Sequence, residues 1–185
     1  MMTDTTGPPT PTPLGERPSL LLAQLGLHAA ARFAERLAPL GLHPRHFVLL
    51  AHLAGGDGQT QQQLADTMGI HRNVMVGLLD DLEDRGLVQR RRHPADRRAH
   101  ALHLTEAARD LLAQAQHAAD EYDAELLAAL DETDQARLIT LLQRVTAHAR
   151  LPVGVHPNLG QRSCDVAPDA ARACGDVIVT NGVAT

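Results

Sequence analysis

The side chains best equipped for chemistry in this 185-residue chain are arginines, and they are unevenly spread. From Arg85 to Arg98 there are six arginines and one acid, a local charge of +5. From Glu106 to Asp134 nine acids face one arginine, a local charge of −8. The net charge of −5 therefore conceals a basic edge on an acidic body. Distribution rather than sum decides what an anionic polymer meets. Lysine is absent, so all 17 cations are planar guanidinium groups, which suit forked contacts to phosphate.

Other reactive types form no constellation. The sequence has no phosphate-cradling glycine loop, no G-x-S-x-G, no H-E-x-x-H and no C-x-x-C. Nothing pairs a nucleophile with a base, and an enzyme is not expected. Of eleven histidines, His28, His43, His46, His52 and His117 are the candidates for a shared metal. His43-Pro-Arg-His46 spans a helix start and is weak as a ligand pair. Packed or exposed histidines, with no metal and no cofactor, are the expectation. Asp80, Asp81, Glu83 and Asp84 would scatter over the solvent face of a helix rather than converge on a cation. Cys164 and Cys174, ten apart in the tail, argue against a disulfide framework. No stable helix is expected around them, so a redox trigger is the secondary reading.

The elements that position the basic edge run from about Thr60 to Thr105. Thr60 with Gln63 fits a capping box, and Leu64 and Met68 give the short helix an apolar face. Gly69 suits the left-handed residue that ends a helix. From Arg72, Val74, Leu78, Leu79 and Leu82 recur at helical spacing, leaving Arg72, Asn73, Val76 and Gly77 off the apolar side. Gly86 stops that helix and Leu87-Val88 open a strand. His93-Pro94-Ala95-Asp96 is turn chemistry. Ala99 to Thr105 then alternates, Leu102 and Leu104 inward, His100 and His103 outward. This order is a helix-turn-helix followed by an arginine-tipped wing, an arrangement that puts a helix into a DNA major groove.

Around that unit the chain is mainly α (α+β). Residues 1–18 are expected to be a disordered arm. A helix capped by Ser19 should run to Leu37 with Leu22, Leu25, Ala29, Phe33 and Leu37 on one side, and a second from Pro44 to about Leu53. After the wing, a long helix from about Glu106 to Leu130 carries Leu111, Leu112, Ala115, Ala119, Tyr122 and Leu126. A last helix, capped by Thr133 or Asp134, aligns Leu138, Leu141, Leu142 and Val145. The first helix and the two after the wing, the long fifth and the sixth, have more apolar surface than a small winged lobe can use, which predicts a homodimer built on N- and C-terminal dimerisation helices. Residues 19–150 form the domain, with 44–105 as the DNA-binding lobe, and 151–185 a largely disordered tail. No apolar run reaches the ~18 residues of a membrane span and no secretory leader opens the chain, so no membrane partner and a cytoplasmic location are expected.

The segments 37–53, 64–88 (L-A-D-T-M-G-I-H-R-N-V-M-V-G-L-L-D-D-L-E-D-R-G-L-V) and 96–109 (D-R-R-A-H-A-L-H-L-T-E-A-A-R) together resemble the MarR family of transcription regulators. The D-x-R followed by L-T is the most specific part, and the resemblance covers about Ser19 to Arg150. It implies a homodimeric repressor on a pseudo-palindromic operator of double-stranded DNA, released by a small molecule or oxidant. Carried over, Arg98 is the minor-groove arginine, supported by Asp96, with Arg97 beside it. Arg72 and Asn73 start the recognition helix, where arginine suits guanine and asparagine adenine, and His71 and Val76 lie on the same DNA side. Thr60 and Gln61 are placed at phosphate through backbone N–H groups. Arg90, Arg91 and Arg92 meet phosphate, one of the three turning inward or sideways. His71 replaces a usual serine cap, and Gly77 a usual polar residue. The family's ligand cleft, between the first two helices and the long fifth, would be approached by His28, Arg32 and His46, which suits an anionic effector. A redox- or metal-responsive regulator, or a winged module serving only protein contacts, is the alternative.

Overall fold

The computed structural model describes residues 12–92, 99–152 and 154–155. Its helices are α1 (Pro18–Leu37), α2 (Pro44–Gly55), α3 (Gln61–Met68), α4 (Arg72–Asp84), α5 (Glu106–Leu126) and α6 (Glu132–His148). One antiparallel ribbon, β1 (Val88–Arg92) with β2 (His100–Leu104), lies between α4 and α5. The ribbon pairs Val88 with Leu104 and Arg92 with His100. This is the mainly helical winged arrangement the spacing predicts. No described helix is long and apolar enough to cross a membrane.

Leucine and methionine close the core. Leu49, Leu50 and Leu53 of α2, Leu64 and Met68 of α3, Met75, Leu79 and Leu82 of α4 and Leu102 of β2 are fully buried. Ala108, Leu112 and Ala115 press α5 onto the same cluster. With so few aromatic rings available, small and aliphatic side chains let these helices approach closely.

Several local expectations are corrected. Residues 14–18, assigned to a disordered arm, hold a 3-10 turn (Leu14–Glu16) and the start of α1. Ser19 does not cap α1: the helix begins one residue earlier at Pro18, whose fixed φ and missing N–H suit a first turn. Near the start of α4 it is Met75 that is fully buried, with Val74 only partly buried. The strand alternation breaks at Ala101, which is buried beside Leu102 because an isolated bridge from Thr60 covers it. α5 stops at Leu126, and α6 is capped by Asp131, whose carboxylate accepts from the Asp134 N–H at 2.9 Å. Of the segment assigned to a disordered tail, Gly154 lies beside His52 of α2 and Val155 packs on the core. Cys164 and Cys174 lie outside the described residues.

Candidate nucleic-acid interface

The reading unit begins with a complete capping box. The Thr60 hydroxyl accepts from the Gln63 N–H, and the Gln63 carboxamide accepts from the Thr60 N–H at 2.8 Å. Gly69 at φ 63° ends α3 in the left-handed region, and the chain turns at once into α4. The N-cap of α4 is His71, whose Nδ1 accepts from the Asn73 N–H at 3.2 Å. Imidazole thus takes the role a serine would play, with its ring kept at the exposed end of the helix.

From that cap the helix divides cleanly. Met75, Leu78, Leu79 and Leu82 are buried, while His71, Arg72, Asn73 and Gly77 are exposed and Val76 half-buried. Arg72 and Asn73 are therefore presented at the free end of a helix anchored by its other face. Thr60 and Gln61 stand half-exposed at the start of α3. The absence of a side chain at Gly77 leaves open space, with no atom within 4 Å of an added Cβ.

The arginines of β1 split into two kinds. Arg91 and Arg92 are exposed. Arg90 turns sideways onto α4, where its guanidinium meets the Asp80 carboxylate at 2.6 Å and also pairs with Glu83. Burial works against its charge, but the Asp80 hydrogen bond and Glu83 outweigh that and raise its pKa. Arg90 is the one of the three that does not face outward, and two acids already neutralise it. The expected wing tip, with Asp96, Arg97 and Arg98, lies outside the described residues.

Two clasps that the sequence reading missed hold this unit in place. Asp57, in the α2–α3 loop, accepts from the Leu104 N–H at 3.4 Å and meets His103 Nδ1 at 3.1 Å and Arg109 at 3.6 Å. Burial opposes ionisation of Asp57, yet the His103 hydrogen bond and charge and the Leu104 N–H bring its carboxyl below the usual range. The second clasp joins α2 to the end of α4. His46 is 6 % exposed, with Nδ1 at 3.4 Å from an Arg85 guanidinium nitrogen and Nε2 at 3.3 Å from the Asp81 carboxylate. Arginine can only donate, so Nδ1 accepts and the imidazole proton is on Nε2, facing Asp81. Burial pushes the His46 pKa down from 6.5 to about 4, against the upward pull of Asp81. Arg85 also donates to the Gly41 carbonyl at 2.9 Å. The acids of α4 thus do local structural work. Only the i, i+4 spacing of Asp81 and Arg85 was a readable sign of it.

His28 is exposed, and Arg32 pairs with Glu35 at 2.6 Å and lies 3.9 Å from Glu125. His46 reaches Asp81 of α4 and Arg85 at its end. At the α1, α2 and α5 junction the three aromatic rings of the chain meet: Phe33 packs edge-on against Phe47 at 5.5 Å and lies 6.4 Å from Tyr122. Burial raises the Tyr122 pKa. No group of three or more metal-ligating side chains occurs among the described residues.

A short helix, a glycine turn, an anchored helix with an exposed polar first turn and a following ribbon define a winged helix-turn-helix protein. The family model described as MarR family matches residues 40–99. The transcriptional repressor CouR, solved bound to a 23-mer DNA duplex, is 34 % identical over 72 % of this chain and 94 % of its own, with a TM-score of 0.66. A MarR-family transcriptional regulator from Rhodococcus sp. RHA1 is 30 % identical over 69 % and 90 %, with a TM-score of 0.60. CouR from Rhodococcus jostii RHA1 bound to p-coumaroyl-CoA is 29 % identical over 73 % and 95 %, with a TM-score of 0.63. This chain belongs to the MarR family of transcriptional regulators.

Proposed function

We propose that the chain is a ligand-responsive repressor that binds a pseudo-palindromic DNA operator as a homodimer. The observation that carries this reading is the exposed first turn of α4, with Arg72 and Asn73 beyond a capped terminus and an anchored apolar face. Arg72 and Asn73 read base edges, with His71 and Val76 alongside. Thr60 and Gln61 meet phosphate, as do the outward Arg91 and Arg92. Arg97 and Arg98 carry the minor-groove contact, where a narrow groove concentrates negative potential, and Asp96 supports the wing. Arg90 is withdrawn from the phosphate set because Asp80 and Glu83 hold it.

Dimerisation is supported by α6, which buries no residue, and by Ile139, Leu141 and Val145, each close to half exposed. The domain comprises residues 19–150, its DNA-binding lobe spanning about 44–105. An anionic small molecule is the proposed effector, because Arg32 and Arg36 converge on Glu125 beside the aromatic junction. An effector anion would compete with Glu125 for those guanidinium groups. His28 and His46 are not part of that set. A similar repressor named CouR is solved with a 23-mer DNA duplex, and CouR from Rhodococcus jostii RHA1 with p-coumaroyl-CoA, which together support a regulator with both kinds of partner.

A gel shift on the DNA upstream of the protein's own gene, at two salt concentrations with excess nonspecific competitor, tests the reading. A discrete complex that weakens steeply with salt and survives competitor is expected. Binding that competitor abolishes at every salt concentration would overturn sequence-specific regulation.

A further inference from the structure

A glycine in a helix interior calls for a reason, because glycine forms helices worse than any residue except proline. Gly77 stands in the middle of α4, which continues unbroken from Arg72 to Asp84. The described chain supplies no reason for it. Its backbone is not left-handed, since the described glycines with positive φ are Gly41, Gly58, Gly69, Gly86 and Gly154. No close neighbour excludes a side chain either, because an added Cβ would meet no atom within 4 Å. The residue is exposed, so the space in front of it opens outward.

Helix geometry gives the direction of that space. At about 100° per residue, Asn73, Gly77 and Asp80 fall along one line of α4, opposite the buried Met75, Leu78, Leu79 and Leu82. Asn73, one turn earlier, carries a forked amide suited to adenine. Asp80, beyond the gap, is held by the Arg90 guanidinium at 2.6 Å. The half-buried Val76 gives the gap an apolar border. At Gly77 itself only helix backbone is presented, and the helix uses those peptide groups for its own hydrogen bonds. What fits such a gap is therefore apolar. On the base edges of a major groove the apolar feature is the thymine C5-methyl group.

We propose that Gly77 is a specificity-determining position, whose missing side chain admits a thymine methyl group against α4. One helical turn advances about 5.4 Å, against about 3.4 Å between base pairs, so the thymine lies one or two base pairs beyond the one Asn73 meets. The proposal rests on the DNA-reading function put forward above and adds one base feature to it. The methyl is read by contact and shape. Cytosine in its place loses the contact, and a side chain at position 77 takes up the room the methyl needs. Glycine here thus weakens the helix and sharpens the reading.

The test exchanges one methyl group between protein and DNA. Duplexes covering the site protected upstream of the protein's own gene carry deoxyuridine in place of one symmetry-related pair of thymines at a time. This removes the methyl groups and leaves every hydrogen-bonding group. The wild-type chain should bind one such duplex about tenfold more weakly, a factor of three to four for each methyl. Gly77→Ala should bind the thymine duplex about tenfold or more below wild type, and recover most of that loss on the same deoxyuridine duplex. Its melting temperature should rise by about 2–4 °C, because alanine is the better helix former. Wild-type binding that is equal on all duplexes would overturn the proposal. So would a Gly77→Ala protein that binds like wild type, or that loses equally on thymine and deoxyuridine. A lowered melting temperature would make Gly77 a structural residue and overturn it too. A wild-type chain that binds none of the duplexes would remove the regulatory reading itself, an outcome distinct from binding without methyl dependence.

Discussion

At the scale of single residues, identical side chains have different tasks because of what lies across from them. Arg90 and Arg91 are neighbours in sequence, but Arg90 faces Asp80 and Glu83 while Arg91 faces outward. Arg90→Ala leaves two acids of α4 without a counter-ion, and we expect a loss of about 1–3 kcal/mol in stability with little change in the salt dependence of DNA binding. Arg91→Ala should do the reverse, leaving the melting temperature alone and lowering the salt slope by about one. Melting curves and binding titrations over a salt series separate the two. Arg72→Ala should cost about 1–3 kcal/mol and relax preference at one base position. An equal loss on every sequence would make Arg72 a phosphate contact instead.

His46 predicts a pH dependence whose sign follows from its environment. Its folded pKa, about 4, lies below the unfolded 6.5, so the unfolded chain takes up the proton first as pH falls. The contribution of the neutral imidazole is therefore fully present above pH 6.5 and lost as pH falls toward 4. The loss is up to about 3 kcal/mol by the conversion of a pKa difference into free energy. Chemical denaturation at pH 7 and pH 4.5 should show this decline, with a shallower one for His46→Gln. Equal slopes for the two proteins would remove His46 from the account.

At the scale of elements, caps and clasps set how α3, α4 and the ribbon stand to one another. Thr60 both caps α3 and bridges to Ala101 of β2, so one residue ties the first helix of the reading unit to the wing. Thr60→Ala should cost about 0.5–2 kcal/mol. Faster hydrogen exchange at the Gln63 and Leu102 amides should accompany it, because the Leu102 N–H donates to the adjacent Gln59 carbonyl. The helix starts at Thr60 and the turn at Gly69 were legible because capping and positive φ are local properties of a few residues. The cap of α1 was misplaced by two residues, at Ser19 instead of Arg17, because proline at the first helical position competes with a serine at the next. Clasps such as Asp57 with His103 and Arg109 were not legible, since 46 residues separate the first pair.

At the scale of the whole molecule, the uncovered surfaces of α1 and α6 are what remains once one chain has closed its core. Leu141→Glu, at a site 46 % exposed on α6, should leave the helical content of the chain intact while shifting sedimentation toward monomer. DNA affinity should then fall with it, because two half-sites would no longer be held by one particle. A variant that remained dimeric would place α6 outside the interface.

The sequence by itself determined the order of the elements, the winged helix-turn-helix, the polar first turn of α4 and the excess of apolar surface on the terminal helices. Each of these follows from periodicity, capping chemistry and turn residues, whose physics acts within a few residues along the chain. Only the tertiary structure decided that Arg90 is spent on Asp80 and Glu83, that His46 is a buried neutral link to α4, and that Gly154 and Val155 return to the core beside α2. Those outcomes depend on which surfaces meet across the fold. Burial and charge pairing act through space, and spacing along the chain carries no record of them.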